Sequence, residues 1–361
     1  MSAYGTKLAE GFSQKVISLF FENSIAMEIT NQDYEGEIKD KLSKLNILTF
    51  GAVDWVNYTG ADVEPVDPSE SIGILETNVQ KAYNFKITSL AKFHSWIKNP
   101  EGTLVDGTAK KLKQLIDTYI LGLYADVASG NVVGTDFSTG TCTVVVTSGV
   151  VTHSATGFTA AMVGCGFKAV GHTKWYRIKA YNSTSEIVIE DDLDDVASAY
   201  TGGAISGGTS FVIQGYAKVQ VAKTTIYGYI TQLTEKLNEA QIPMEDRWLV
   251  LPPKIYTILK QAGEIQPAVD AAYQDVIKKG YVGDVDGFKV VVNNQVTGNN
   301  TDGYRILAMH RSWCTFAMGW TESEIQPIPK NFGKMYLGLA IYGAKIVDER
   351  RKAAAELFCY V

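Results

Sequence analysis

Two segments of clear helical period enclose a stretch that is not helical. Leu112, Leu115, Ile116, Tyr119, Ile120, Leu123 and Val127 recur at three- and four-residue spacing, and so do Ile226, Ile230, Leu233 and Leu237. From Ser129 to about Gly215 the composition turns abruptly to Gly, Thr, Ser and Val. Short β-prone runs at Thr141 to Thr147, Lys174 to Tyr181 and Glu186 to Glu190 alternate there with turn signals. The chain therefore reads as an α+β host carrying a small inserted all-β domain, a barrel or sandwich, at 129–215.

The host opens with Leu8, Phe12, Val16, Leu19, Phe20 and Met27 at helical spacing, an amphipathic helix or extended arm. Ile47 to Tyr58 reads as a strand and Leu75 to Ile87 as a clearer one. In the second, Leu75, Val79, Tyr83, Phe85 and Ile87 share a face opposite Glu76, Asn78, Gln80, Asn84 and Lys86. The loop between them is acidic, with Asp62, Glu64, Asp67 and Glu70, and is stiffened by Pro65 and Pro68. A two-stranded ribbon is marginal alone in water, so its apolar face must dock on something, and a neighbouring subunit is the expected partner. The candidate inter-subunit contacts are Asp62, Glu64, Asp67 and Glu70 at the tip, Leu75, Val79 and Tyr83 on the ribbon, and Phe12 and Phe20 on the arm. Asp106 or Thr108 is available to cap the long helix, and Pro252 and Pro253 sit where another helix can begin. Strands follow at Phe288 to Val292 and Arg305 to Met309, and a β-rich stretch from Met335 to Val361 closes the chain.

Composition excludes several function classes. At 361 residues, 46% hydrophobic and 20% charged, the chain has the make-up of a folded protein of two or three units. A net charge of -6 disfavours a protein that grips nucleic acid through phosphates. No apolar run approaches the roughly 18–20 residues of a membrane span, and no signal-peptide pattern opens the chain. Cys142, Cys165, Cys314 and Cys359 are too widely spaced for a zinc site or a disulfide framework and read as buried thiols. The patterns of a nucleophile elbow, a P-loop and a zincin are all missing, and His94, His153, His172 and His310 are isolated. The run Glu190, Asp191, Asp192, Asp194 and Asp195 lacks the spaced ligands of a calcium loop and reads as a solvated turn. Gly202, Gly203, Gly207 and Gly208 read as a mobile hairpin turn rather than a phosphate cradle. No catalytic, metal-binding or cofactor-binding residue is assigned, and no cofactor is expected.

The order of arm, hairpin, long helix, mixed domain and terminal strands carries a family resemblance. DYEGEI (Asp33 to Ile38) followed by ILTFGAVDWVNYTG (Ile47 to Gly60) resembles the arm and extended loop of tailed-phage major capsid proteins of the Hong Kong 97 fold. LIDTYILGLYADV (Leu115 to Val127) resembles their spine helix, and LNEAQIPMEDRWLVLPPKIYTIL (Leu237 to Leu259) their pattern of helix, Pro, Arg, strand and helix. GFKVVVNNQV (Gly287 to Val296) is similar to a strand ending in a polar turn, and HRSWCTFA (His310 to Ala317) to the helix after it. Within 129–215, GFTAAMVGCGFKAVG, KWYRIKAYNSTSEIVIEDDL and TSFVI resemble a β module of phage structural proteins.

The resemblance implies an arm at 1–46, an extended β-hairpin loop at 47–88 and a peripheral segment with the spine helix at 89–128. Beyond the insert it implies an axial domain at 216–330 and peripheral terminal strands at 331–361. It implies a non-enzymatic coat protein that forms hexamers and pentamers of an icosahedral shell around double-stranded DNA. A separate scaffolding protein and a portal would be its partners, with assembly in the host bacterial cytoplasm, location in the virion and no membrane. No residue pair matches the family's covalent cross-link. Two other readings stand beside it. A receptor- or carbohydrate-binding phage structural protein would use Trp175, Tyr176 and Tyr181, although strand aromatics are more often core. A hydrolase would need a paired catalytic pattern, which the sequence lacks.

Overall fold

The computed structural model describes residues 24–33, 44–50, 70–89, 100–146, 148–172, 174–191, 200–262, 266–267, 281–329 and 331–361. A single helical turn α1 (Ala26–Ile29) precedes β1 (Lys44–Phe50), β2 (Glu70–Glu76), β3 (Val79–Thr88) and the long helix α2 (Pro100–Leu121). Next come β4 (Val132–Val133), β5 (Thr135–Phe137), β6 (Thr141–Val144), β7 (Val150–His153), β8 (Gly166–Ala169), β9 (Tyr176–Ser183), β10 (Glu186–Asp191) and β11 (Ile205–Ala217). Then follow β12 (Val219–Gln220), α3 (Ile226–Glu239), β13 (Arg247–Leu251), α4 (Pro253–Ala262), β14 (Gln266–Pro267), β15 (Tyr281–Val285) and β16 (Phe288–Val292). The chain closes with β17 (Gly298–Asn299), β18 (Gly303–His310), β19 (Thr315–Pro327), β20 (Gly333–Lys345) and β21 (Ala354–Tyr360). The described residues fall into two compact units, 31–109 with 314–347, and 24–30 with 110–313 and 348–361.

The first unit holds an antiparallel sheet in the order β19-β20-β3 and a separate ribbon of β1 and β2. The stretch Leu75 to Ile87, expected as one strand, is two. Up to Glu76 it pairs with β1, and from Val79 it pairs with β20, turning at Thr77 and Asn78. Gly343 permits the turn, because a Cβ there would lie 2.0 Å from the Glu76 carbonyl oxygen. Gly338 opens a second close approach, over which the Tyr83 ring lies flat against the backbone of β20. Phe85 stacks between Tyr83 and Tyr336, with centroids 6.0 and 5.1 Å away, along one face of the sheet.

The second unit is built on a mixed sheet of nine strands, with a path β12-β21-β18-β13-β16-β15-β14, β4 added to β21 and β17 to β18. Every residue of β13 is buried, as a strand covered on both faces requires. Ile226, Ile230, Leu233 and Leu237 of α3, at the spacing read from the sequence, join Ile255 and Leu259 of α4 and the sheet residues Leu249, Val290 and Ile306 in one core. α4 begins at Pro253, where the missing N–H costs nothing. α2 begins at Pro100, so Asp106 and Thr108 lie inside the helix and do not cap it; the Thr108 hydroxyl donates back to the Val105 carbonyl.

Two further expectations are corrected. His310–Ala317 is no helix: it is the end of β18, a tight turn and the start of β19. Its residues Trp313 to Ala317 are buried in an unbroken run, which suits a covered strand and not an amphipathic helix. The C-terminal strands also part company. β20 alternates half-buried and buried positions and sits in the three-stranded sheet, whereas Ala354 to Leu357 of β21 are buried in succession and β21 lies inside the nine-stranded one.

Residues 135–217 fold into a sheet of their own. Strands β6-β7-β10-β9-β8 follow in order, and β11 pairs with both β6 and β8, so the six close into a barrel with β5 added outside on β11. Closure removes the exposed edges that an open sheet leaves. Phe158, Phe167, Phe211, Ile178, Ile187 and Ile213 fill its interior. Gly207 and Gly208 are no hairpin turn. They lie within β11, where Gly208 has φ +92° and the register with β6 shifts between Ile205 and Thr209, a bulge. The composition changes at Ser129, but the fold changes later. Val132 and Val133 still pair with β21, and Asn131 donates to the carbonyls of Lys352 and Ala354.

Candidate functional site

The ribbon presents apolar side chains on both faces. On one, Ile47 and Leu75 are buried against Ala317 and Val347, with Leu45 beside them. On the other, Leu48 stands directly opposite Ile72, with Ile74 next along β2, and they are 48%, 61% and 42% exposed. The ribbon thus buries one apolar face within the chain and leaves the other about half exposed.

The second constellation surrounds the long helix. Asp117 of α2 is buried, and four donors converge on its carboxylate. Oδ1 accepts the Ser24 hydroxyl at 2.8 Å and the Ala26 N–H at 3.0 Å, the Ile25 N–H lies 3.3 Å from both oxygens, and Oδ2 accepts Asn293 Nδ2–H at 3.1 Å. Burial pushes this carboxyl above the ordinary carboxylate range, against the opposing pull of those donors. The polar turn after β16 braces the same helix twice more. Gln295 Oε1 accepts the Thr118 hydroxyl, and the Thr297 hydroxyl donates to the Leu121 carbonyl. Asn293, Gln295 and Thr297 thus turn a loop that looks solvated in sequence into an internal support.

Arg247, from the motif that resembles the capsid pattern, is a structural clamp. It is buried and donates to the carbonyls of Pro243 and Ile242 and to Asn238 Oδ1, at 2.8, 2.6 and 2.8 Å. These bonds hold the α3–β13 connection, whose first turn places Gln241 at φ +59°. A second buried charge, Glu356, accepts from Arg305 at 2.7 Å, while the guanidinium lies 3.4 Å over the Phe358 ring.

Among the contact candidates, Asp62, Glu64, Asp67, Phe12 and Phe20 lie outside the described residues, and Glu70 opens β2. Leu75 is fully buried within the chain, packed with Ile47, Ala317 and Val347. Val79 and Tyr83 lie on β3 and are half-buried, opposite Tyr342 and Gly338. The outward residues Leu48, Ile72 and Ile74 were hidden in the sequence by their neighbours. Their signal was that ESIGILE places apolar residues at both parities of a strand, so neither face is polar.

The residues with chemical potential are occupied structurally. His153 is packed among Phe137, Phe158 and Phe211, its Nδ1 accepting the Ala155 N–H and its Nε2 bonded to the Thr139 carbonyl. His172 meets the Tyr176 hydroxyl, His310 the Ser312 hydroxyl, and His94 lies outside the described residues. None of the four cysteines forms a disulfide; burial pushes the thiols of Cys142 and Cys165 up to about 11 and that of Cys359 up to about 12. Glu190 and Asp191 pair with Lys179 and Lys174, while Asp192, Asp194 and Asp195 fall outside the described residues. Tyr176 is a core residue of the barrel, 4.8 Å from Tyr200, and not a sugar platform; Tyr181 is half-buried and packs against the same core. Trp175 is half-buried with Lys168 above its ring. Among the described residues no group of three or more His, Cys, Asp or Glu gathers to hold a metal ion, and no helix is long and apolar enough to cross a membrane.

Solved structures share this fold over nearly the whole chain. A chain from Mycobacterium phage Che8 matches at a TM-score of 0.60 and 15% identity, covering 96% of this chain and 96% of its own. The capsid of Ralstonia phage GP4 matches at 0.58 and 13%, covering 100% and 98%. The capsid structure of the cyanophage P-SCSP1u matches at 0.57 and 14%, covering 97% and 92%. No family model and no curated protein matches the chain. The mixed α+β architecture described above is shared with these phage chains, two of which come from capsids.

Proposed function

We propose that the chain is the major capsid protein of a tailed bacteriophage, a structural, non-enzymatic subunit of Hong Kong 97-like fold that assembles into hexamers and pentamers of an icosahedral shell around double-stranded DNA. The observation that carries this reading is a fold shared end to end with phage capsid structures, at 97–100% coverage of this chain. The outward apolar strip of Leu48, Ile72 and Ile74 supports it, since a repeated subunit contact would cover that strip.

In this reading residues 1–46 form the arm, 47–88 the extended loop and its return strand, and 89–128 the peripheral segment with the spine helix α2. The axial domain is the nine-stranded sheet with α3 and α4, and β19 and β20 belong to the peripheral domain. The closed barrel at 135–217 is an inserted domain with its own core. A net charge of -6 suits a wall that encloses DNA without binding its sequence. A separate scaffolding protein and a portal complete the assembly, which takes place in the bacterial cytoplasm. Electron microscopy of the chain expressed with a candidate scaffold tests the reading. Closed shells or capsomers are expected; fibres, trimers or a compact monomer at high concentration would sink it.

A further inference from the structure

We propose that Ser24–Thr30 is a releasable strap with two positions, latched on Asp117 or free, so that Asp117 governs whether the strap is held. The inference concerns one chain and stands whether or not that chain builds a shell.

Three of the four donors that satisfy Asp117 belong to the strap, and one, Asn293, belongs to the fixed sheet. The fixed side alone cannot satisfy a carboxylate, which has room for about four donors. With the strap in place the charge is dry and covered; without it the charge must be in water. Intermediate positions, in which donors are lost and the carboxylate stays buried, are the costly ones, and that makes the latch two-state.

The strap has little structure of its own. α1 is a single turn of four residues, too short to persist unsupported. Its order comes from burying Ile25, Ala26 and Ile29, from the Thr30 hydroxyl on the Ala26 carbonyl, and from Arg311 donating to the Thr30 carbonyl at 3.3 Å. The Asp117 latch holds the opposite end. The strap is therefore docked or unfolded, with no ordered alternative.

Hydrogen exchange on the full chain tests the proposal. Asp117→Asn keeps the shape but sets an amide donor against the four donors. Exchange at Ile25 and Ala26 should accelerate by about tenfold or more, while the amides of β13 keep their wild-type protection. Unchanged exchange at the strap in the variant, or equal acceleration in the strap and β13, would overturn the latch. If Asp117→Asn does not fold, Ser24→Ala removes one donor without touching α2; it should accelerate the strap amides, and no change there overturns the proposal.

Discussion

Replacing Leu48, Ile72 and Ile74 together with Asp is expected to stop assembly and leave the subunit folded. In the single chain these side chains are 48%, 61% and 42% exposed, so they hold in water the equivalent of about one and a half full side chains. At roughly 1.5–3 kcal/mol for each side chain fully buried, covering the strip stabilises a contact by roughly 2–4 kcal/mol. A shell repeats that contact in every subunit, so the loss multiplies. Three carboxylates on a surface that must be desolvated also oppose the contact actively. In the free subunit these positions are about half exposed, and the new carboxylates face one another across the ribbon, so unfolding should fall by a few degrees, well short of the effect of Leu75→Ala. Sedimentation velocity with electron microscopy reads the first effect and thermal unfolding the second. Leu75→Ala is the control: it opens a cavity in the Ile47–Val347 core and should cost about 2–5 kcal/mol of subunit stability. Wild-type particle yield from the triple variant would refute the reasoning. So would a loss of thermal stability as large as that of Leu75→Ala.

Joining Gly134 directly to Ala217 should delete the barrel and leave a soluble, assembling subunit, because a Cβ on Gly134 would lie 3.0 Å from the Ala217 carbonyl oxygen; a cut made at Ala128 instead should be less stable, since it removes the β4 pairing with β21. Circular dichroism and particle yield of the two deletions check this. Arg247→Met strands two carbonyls and Asn238 Oδ1 in the α3–β13 connection and should lower stability by about 2–4 kcal/mol in urea unfolding. Burial holds the Glu356 carboxyl above its ordinary 4.5 in spite of Arg305, so its ionised form opposes folding; stability should fall as pH rises through the raised value, and Glu356→Gln should flatten that fall. Arg305→Met, which leaves the carboxylate without its partner, should cost about 3–5 kcal/mol at pH 7 and less in acid, as denaturant titrations at the two pH values would show.

The parts legible in the sequence were those where one face of an element is buried and the other is not. Ile226, Ile230, Leu233 and Leu237 mark α3 because each returns to the core every turn, and the barrel strands betray themselves by short β-prone runs between turn residues. Legibility fails where burial is set by distant partners. Asp117 looks like a solvent position of an amphipathic helix, yet Ser24 and Asn293, 93 and 176 residues away, enclose it. The ribbon strand could not be divided at Thr77 from its pattern, because Leu75 and Val79 keep the same parity across the turn and only the close approach of Gly343 reveals it. Trp313 to Ala317 are apolar at every parity and fit a helix or a covered strand equally well until their neighbours are known. The outward strip was missed for a related reason: Leu75, the residue most easily read as a contact, is the one the subunit uses itself.

Whether this fold is a repeating wall unit is measured directly by cryo-electron microscopy of particles purified after expression with a scaffold. Closed shells are expected, in which Leu48, Ile72 and Ile74 of each copy are covered by an adjacent one. Shells in which that strip faces solvent, or a chain that stays monomeric with scaffold supplied, would contradict it.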